Sequence, residues 1–329
     1  MKPVLTNHLT AEAKKWWRGE TDLPKDATRK GFGRGLLQAG KTDRKLIALT
    51  ANLGGSTSLG AFKEHHPARF IDVGVAEQSL AGIAAGMASE GHTAVMTSFA
   101  TFSPGRNWDL IRTQIAMPKH PVLVVGSHAG LATGPDGATH QALEDIALMR
   151  SLPGMTILSP GDATETATLT NLFLKTKMPG YLRVSRAKTR QYLTAPTSLT
   201  KARWLITGGK KTLITTGAVL EQALTAARKL WHDHEETINV LHVPCLKPID
   251  NAAIKKAAET STKLYTIEDH NVIGGLGTAV AERLSKLAKH PPLDTIGVRD
   301  EFGRSGTTEE LYHHYGLSAK KIAAKVKKG

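Results

Sequence analysis

The stretch FIDVGVAEQSLAGIAAGMASEG, from Phe70 to Gly91, joins a short apolar strand to a long helical pattern. The strand gives way to Asp72, Val73 and Gly74, and the helix begins near Glu77 with apolar positions that recur every three to four residues. The next strand signal, TAVMTSF, follows from Thr93 to Phe99. A strand, a helix and a second strand in this order are typical of a parallel α/β unit.

The same alternation continues along both halves of the chain. The first half carries the further strand signals RKLIALT, PVLVVGS, MTILSP and GYLRVSR, and the second half carries KTLITTG, TINVLHV and TKLYTIED. Between the halves lies RQYLTAPTSLTKAR, a polar segment with a proline that breaks the pattern. The sequence therefore predicts an α/β fold with two open, mostly parallel sheet domains flanked by helices, residues 1–192 and 207–329, joined by a linker at 193–206.

Composition excludes several classes of protein. The chain has 329 residues, enough for two domains, and its 40% hydrophobic and 22% charged residues are ordinary for a soluble protein. No apolar run approaches the ~20 residues of a membrane span, and the single cysteine, Cys245, excludes an internal disulfide framework. We therefore expect a cytoplasmic protein with no membrane partner.

The net charge of +14 raises the question of nucleic-acid binding. The cations are spread along the chain instead of forming one patch, and the densest cluster is the tail SAKKIAAKVKKG. We expect no nucleic-acid partner. Three interpretations of the positive charge remain: solvated lysines without a specific role, complementarity to an acidic partner subunit, or an electrostatic field that attracts anionic substrates.

Two segments carry chemistry. Glu77 stands at a strand-to-helix junction, where a carboxylate either serves a site or merely stabilises the first turn of its own helix. The second segment, GSHAGLATGPDGATHQALEDIALMRSL, runs from a strand end through a glycine-rich loop with His128, Asp136 and His140, and into a helix predicted to begin at Gln141 or Ala142. Three titratable side chains on one loop indicate a site. Their spacing is not that of a zinc site, and the loop lacks the lysine of a P-loop, so we expect no metal ligands here.

At this point the motifs resemble those of a known family. DVGVAEQ, SFATFSPGRNWDLIR, GSHAGLATGPDGATHQALEDIA and LPGMTILSPGD, in this order and spacing, resemble the pyrimidine-binding domain of transketolases. The segment EDHNVIGGLGTAVAERL resembles the C-terminal domain of that family, so the resemblance covers nearly the whole chain. It implies thiamine diphosphate as the cofactor and transfer of a two-carbon ketol unit from a ketose phosphate to an aldose phosphate.

The resemblance also implies roles for single residues. Glu77 matches the glutamate that donates a proton to the cofactor's aminopyrimidine ring and so activates the cofactor. Phe102 matches the aromatic residue that stacks on this ring, and Phe99 its neighbouring contact. Asp136 and His140 match residues that contact the sugar near the reacting carbons. The positions that match the binding site for the substrate phosphate are Arg29, Ser56, His128 and Arg186.

Half of the expected cofactor site is absent from the sequence. The family holds the diphosphate through a divalent cation, Mg²⁺, bound by a GDG motif and a later asparagine, and GDG occurs nowhere in the 329 residues. Since the sequence begins at a methionine able to initiate translation, we expect a separately encoded N-terminal-type subunit to supply that half, in a heterotetramer with this chain.

Related thiamine diphosphate enzymes are the alternatives. Deoxyxylulose-phosphate synthases typically have arginine where this chain has His128, and β subunits of 2-oxo-acid dehydrogenases lack the full PDGATHQ pattern, so transketolase is favoured. The loop SPGRNW departs from full-length transketolases and leaves the substrate open. A scaffold subunit that has kept only the fold is a further alternative.

Overall fold

Parallel strands with helices on both faces form each half of the chain, as the sequence predicts. The computed structural model describes residues 2–329. The strands are β1 (Val4–Leu5), β2 (Lys25–Ala27), β3 (Leu46–Thr50), β4 (Phe70–Asp72), β5 (Thr93–Phe99), β6 (Val122–Ser127), β7 (Thr156–Leu158), β8 (Gly180–Arg183), β9 (Lys188–Arg190), β10 (Arg203–Thr207), β11 (Lys211–Thr215), β12 (Ile238–His242), β13 (Cys245–Lys247), β14 (Lys263–Asn271) and β15 (Leu293–Val298).

Helices alternate with these strands. They are α1 (Ala11–Arg18), α2 (Thr28–Thr42), α3 (Gly60–His65), α4 (Glu77–Ser89), α5 (Trp108–Leu110), α6 (Asp145–Arg150), α7 (Ala163–Leu174), α8 (Leu220–His234), α9 (Asn251–Thr260), α10 (Leu276–Leu284), α11 (Thr308–His314) and α12 (Ala319–Lys328). A π-helix, Ile111–Ala116, continues α5. Among the described residues, no helix is both long and apolar enough to cross a membrane.

The first sheet has seven strands in the order β13-β7-β8-β6-β5-β3-β4, and all its pairs are parallel except the edge pair β13–β7. Both faces are buried. Along β3, Leu46 and Ala48 enter the core beneath α2 and α7, whereas Ile47 and Leu49 enter the core beneath α4. Alternate side chains of a strand point to opposite faces, so a continuous apolar run is what a doubly covered sheet requires.

The second sheet has six strands in the order β1-β10-β12-β11-β14-β15, with its last four strands parallel. The two sheets exchange edge strands: β1, from the amino end of the chain, pairs with β10, and β13, from the second half, pairs with β7. Trp16 and Trp17 of α1 also pack into the core of the second half. The linker predicted at 193–206 remains a prediction for the boundary between the domains.

One helix begins later than the sequence pattern predicts. The helix expected from Gln141 or Ala142 begins at Asp145. Ala142 instead forms a parallel bridge with Ala129, and its carbonyl accepts hydrogen bonds from the Gly130 amide and from the Arg183 guanidinium. These contacts hold Ala142 in an extended segment, and they fix the loop from Gly126 against the sheet.

A buried ionic cluster joins the two halves. The carboxylate of Glu165, on α7, accepts hydrogen bonds from Arg203 at 2.9 Å and from His242 at 2.6 Å, and all three side chains are almost completely buried. Burial acts to raise the pKa of Glu165, but His242 and Arg203 outweigh it and hold the pKa at about 2. The cluster links the first domain to β10 and β12 of the second sheet.

We predict that Glu165→Ala lowers the free energy of unfolding by about 3–5 kcal/mol, because it leaves the buried guanidinium of Arg203 without its counter-ion. Urea denaturation at pH 7 measures the loss. The matched control is Glu259→Ala, which breaks an exposed pair with Lys255 and should cost less than about 1 kcal/mol. Equal effects of the two substitutions would contradict the prediction.

The same carboxylate gives a pH dependence with a defined sign. Its folded pKa of about 2 lies below the value of about 4.3 expected for an unfolded glutamate, so its contribution is complete above pH ~4.3 and is lost as the pH falls towards 2. Between pH ~4.3 and 2, the free energy of unfolding measured by urea denaturation should therefore fall less steeply with decreasing pH in Glu165→Ala than in the wild type.

Candidate active site

Glu77 occupies the amino end of α4, directly beyond β4. The turn that leads to it is fixed by Asp72, whose carboxylate accepts hydrogen bonds from the amides of Asn52 and Gly74, and Gly74 adopts a φ of 73° that favours glycine. Glu77 is only 5% exposed, and its carboxylate accepts a hydrogen bond from Arg106 Nη1 at 3.0 Å. The carboxylate thus faces a neighbouring loop, and the first turn of α4 has no side-chain cap at Ala76.

Aromatic rings line the space beside this carboxylate. Phe99 ends β5 and lies nearly parallel to Phe102, with ring centroids 6.0 Å apart. The imidazole of His128 lies 4.0 Å from Phe99, and that of His140 meets the edge of Phe102 at 5.3 Å. Four residues predicted from the sequence therefore form one cluster at the carboxyl ends of the parallel strands, the edge where such sheets bind ligands.

His128 is buried in a strained position. Its φ is 55°, its Nδ1 lies 2.9 Å from the Ser127 hydroxyl, and its carbonyl accepts a short hydrogen bond from the Thr133 hydroxyl. Burial, reinforced by the positive charges of Arg29 and Arg186, lowers the pKa of His128 to about 3. The imidazole is therefore neutral near pH 7, and it presents one donor and one acceptor instead of a charge.

The predicted phosphate residues come from four separate segments. Arg29 lies at the start of α2, and its guanidinium donates to the Ser56 carbonyl at 2.5 Å. Arg186 follows β8, and its guanidinium lies 3.0 Å from the Asp136 carboxylate. Burial and the nearby charge of Arg186 lower the pKa of Arg29. Two guanidinium groups beside a neutral histidine form a cationic end of the site, suited to a phosphate dianion.

Two further residues belong to the site and were not predicted. Arg106 lies over the face of Phe102, with its guanidinium carbon 4.1 Å from the ring centroid, while it pairs with Glu77. Asn107 donates to the Glu77 carbonyl at 2.8 Å and to the Ser103 hydroxyl at 3.2 Å. Both lie in the loop SPGRNW, whose position directly after the matched aromatic residues was the signal available in the sequence.

The geometry fits part of a cofactor. A guanidinium is flat, rich in nitrogen and a hydrogen-bond donor, and here one such group both stacks on Phe102 and contacts Glu77. An aminopyrimidine ring needs the same two contacts, so the site accepts a group of this shape. No cluster of three or more histidine, cysteine or acidic residues able to hold a metal ion occurs between residues 2 and 329. The described residues offer a flat, nitrogen-rich group both a stacking face and a hydrogen-bond acceptor.

Comparison with known proteins agrees with this geometry. The family model for the transketolase pyrimidine binding domain matches residues 25–191, and the model for the transketolase C-terminal domain matches residues 200–322. The chain belongs to the transketolase family. It corresponds to the pyrimidine-binding and C-terminal parts of that family.

Individual relatives cover almost the whole chain. One of the subunits of the apulose-4-phosphate transketolase of Phocaeicola vulgatus is 36% identical, over 90% of this chain and 95% of its own length. The 6-deoxy-6-sulfo-D-fructose transketolase subunit SqwH of Clostridium sp. is 36% identical, over 87% of this chain and 89% of its own length. A solved structure described as a split gene transketolase, inactive beta4 tetramer, superimposes with a TM-score of 0.84 at 36% identity, over 92% of this chain and 97% of that one.

The state of His128 can be tested by NMR. We predict that its imidazole resonances stay constant from pH 8 down to about 4.5, because its pKa is lowered to about 3. In the urea-unfolded chain, the same residue should titrate near 6.5. Arg29→Gln removes one of the cations that lower the pKa and should shift the midpoint upwards, whereas Arg44→Gln, at the opposite edge of the sheet, should not. A folded midpoint above pH 6 would contradict this description.

Proposed function

We propose that this chain is the C-terminal subunit of a transketolase that moves a two-carbon ketol unit from a ketose phosphate to an aldose phosphate. The observation that carries the proposal is the buried Glu77 carboxylate, whose partner Arg106 lies over the face of Phe102. Bound thiamine diphosphate would supply the carbon nucleophile and the electron sink for this chemistry. A partner subunit would supply the diphosphate site and Mg²⁺.

Different residues of this chain act on the cofactor ring and on the sugar. Glu77, shielded from water, holds a proton at the ring nitrogen of the cofactor, where a carboxyl group acts as a general acid. Phe102 and Phe99 position the ring. Asp136 and His140, at the rim of the same pocket, contact the sugar hydroxyls and move protons to and from the reacting carbons.

The substrate is recognised at the opposite end by charge. Arg29 and Arg186 provide paired donors of permanent charge for the terminal phosphate, and His128 and Ser56 add neutral hydrogen bonds. Asp136 pairs with Arg186 in the structure and so links the phosphate end to the sugar end. This recognition fixes one end of the substrate without setting the length of the sugar, which leaves the ketose and aldose unspecified.

The surface of α4 supports a partner subunit. Gly82 and Gly86 lie on the exposed side of this helix, together with the half-exposed Ile83, and a Cβ atom added to Gly86 would meet nothing within 4 Å. Glycine within a helix costs about 1 kcal/mol relative to alanine, and no contact within this chain requires it here. Val75 and Met117 are also exposed. We propose that a helix of the partner packs against this open face of α4, beside Glu77, and that two copies of each chain form a heterotetramer.

The decisive experiment reconstitutes the complex. The chain is mixed with a diphosphate-binding subunit that carries GDG, thiamine diphosphate and Mg²⁺, and ketol transfer between sugar phosphates is measured. We expect activity from the mixture and at least a ~100-fold loss in Glu77→Ala, because the proton donor is removed. Glu90→Ala, an exposed glutamate at the other end of the same helix, should keep full activity.

The outcomes separate the alternatives. A folded, associated complex without ketol transfer would overturn the proposal. Decarboxylation of pyruvate by that complex would instead indicate a synthase or a 2-oxo-acid dehydrogenase β subunit. Full activity in Glu77→Ala would indicate that this chain serves only as a scaffold. A cytoplasmic location stays a prediction from the sequence.

The partner surface can be tested separately. We predict that Gly86→Leu weakens association with the partner at least ~10-fold, since the new side chain projects into open space that the partner helix needs. The isolated chain should be as stable as the wild type or more so, by about 0.5–1 kcal/mol. Lys255→Leu on the exposed side of α9 is the control, and it should leave association unchanged. Normal association of Gly86→Leu would place the partner elsewhere.

A further inference from the structure

The side chain of Arg106 covers the catalytic carboxylate. Arg106 is 52% exposed, whereas Glu77, with which it pairs, is 5% exposed. The guanidinium therefore lies between Glu77 and solvent, at one side of a cleft of about 480 Å³ lined by Ala76, Glu77, Gln78, Ser79 and Arg106. A ligand that reaches Glu77 through this cleft meets Arg106 first.

The backbone that carries Arg106 is fixed, so only its side chain has to move. The amide of Arg106 donates to the Phe102 carbonyl at 2.9 Å. The next residue, Asn107, is buried and binds both the Glu77 carbonyl and the Ser103 hydroxyl. The loop is thereby held against α4, whereas the half-exposed arginine side chain can rotate towards solvent without breaking these bonds.

The guanidinium and an aminopyrimidine ring compete for the same two surfaces. Both are flat, and both use the face of Phe102 and an oxygen of Glu77. We propose that Arg106 is an internal competitor that closes the cofactor pocket of this chain until the cofactor ring binds and displaces it. This inference rests on the proposed function, because it assumes that the ring of thiamine diphosphate occupies this pocket.

The competition has two physical consequences. While Arg106 is in place, the buried Glu77 carboxylate has a counter-ion, which reduces the cost of burying it before a cofactor arrives. When the ring binds, Arg106 must first leave, so the apparent affinity falls by the fraction of molecules with an open pocket. The displaced guanidinium would turn towards solvent.

Affinity measurements give the sign of the effect. Thiamine diphosphate with Mg²⁺ is titrated calorimetrically into the reconstituted complex, with wild-type chain, Arg106→Ala, Arg106→Lys and the control Arg44→Ala. We expect Arg106→Ala to bind the cofactor about 3- to 10-fold more tightly than the wild type and Arg44→Ala to be unchanged. Arg106→Lys keeps a charge but loses the planar stack, so its affinity for the cofactor should lie between those of the wild type and Arg106→Ala. Equal binding by Arg106→Ala would show that the arginine does not compete, and weaker binding would show that it helps to hold the cofactor; either result would overturn the proposal.

Direct observation of the side chain provides a readout independent of affinity. In the chain labelled with ¹³C,¹⁵N-arginine, the Arg106 protons next to the guanidinium that lies over the Phe102 ring should be shifted upfield, and this signal should be missing in Arg106→Lys. In the complex saturated with cofactor, the shift should disappear. A shift that persists at saturation would overturn the displacement.

The two proposals fail in different ways. Tight binding by the wild-type complex, together with unaltered affinity in Arg106→Ala, would overturn only the competition and leave the proposed function standing. No binding by either complex would overturn both, since no cofactor would then exist for Arg106 to exclude.

Discussion

The buried ion pair of Arg183 and Asp145 is the contact on which the site depends. The guanidinium donates to the Asp145 carboxylate at 2.9 Å, and the same carboxylate accepts the Tyr181 hydroxyl at 2.7 Å. The guanidinium also reaches the carbonyl of Ala142 in the site loop and that of Asp269 in β14 of the second sheet. One side chain thus joins a central strand, the start of α6, the loop that carries His128 and His140, and the other domain.

That arrangement explains why the loop can hold strained and neutral groups. A histidine at φ 55° persists only where its surroundings determine it. Here the loop is held at Ala142, whose carbonyl accepts from Arg183, and at Leu131, whose amide donates to the Asp269 carboxylate. The second domain therefore contributes to the site by fixing the loop backbone, even though the predicted site residues all belong to the first 190 residues. A buried ion pair of this kind fixes a single loop conformation more than it raises the net stability of the fold.

The sequence predicts local structure well because the local signals are strong. β5 spans Thr93 to Phe99, as TAVMTSF indicates, and α4 begins at Glu77. Within β8, Arg183 and Tyr181 both bind Asp145 while Leu182 packs in the opposite core, as the alternation of side chains along a strand requires. What could not be predicted are contacts between distant segments. The strands β1 and β13 are two and three residues long and become strands only through partners far away in the sequence.

Arg106 shows the same limit within the site. Its sequence neighbours indicated a loop near the cofactor, but the partner of a long, flexible side chain is set by which acceptors and ring faces the fold brings within reach. The fold places Glu77 and Phe102 within reach of Arg106, which donates a hydrogen bond to the first and lies over the ring of the second. The open surface of α4 underlies the proposal that the chemistry belongs to an assembly. This chain holds a buried carboxylate and an aromatic surface, and beside them a helix face where a Cβ atom added to Gly86 would meet nothing within 4 Å. The partner proposed above would complete the pocket from the face of α4 that carries Gly82 and Gly86.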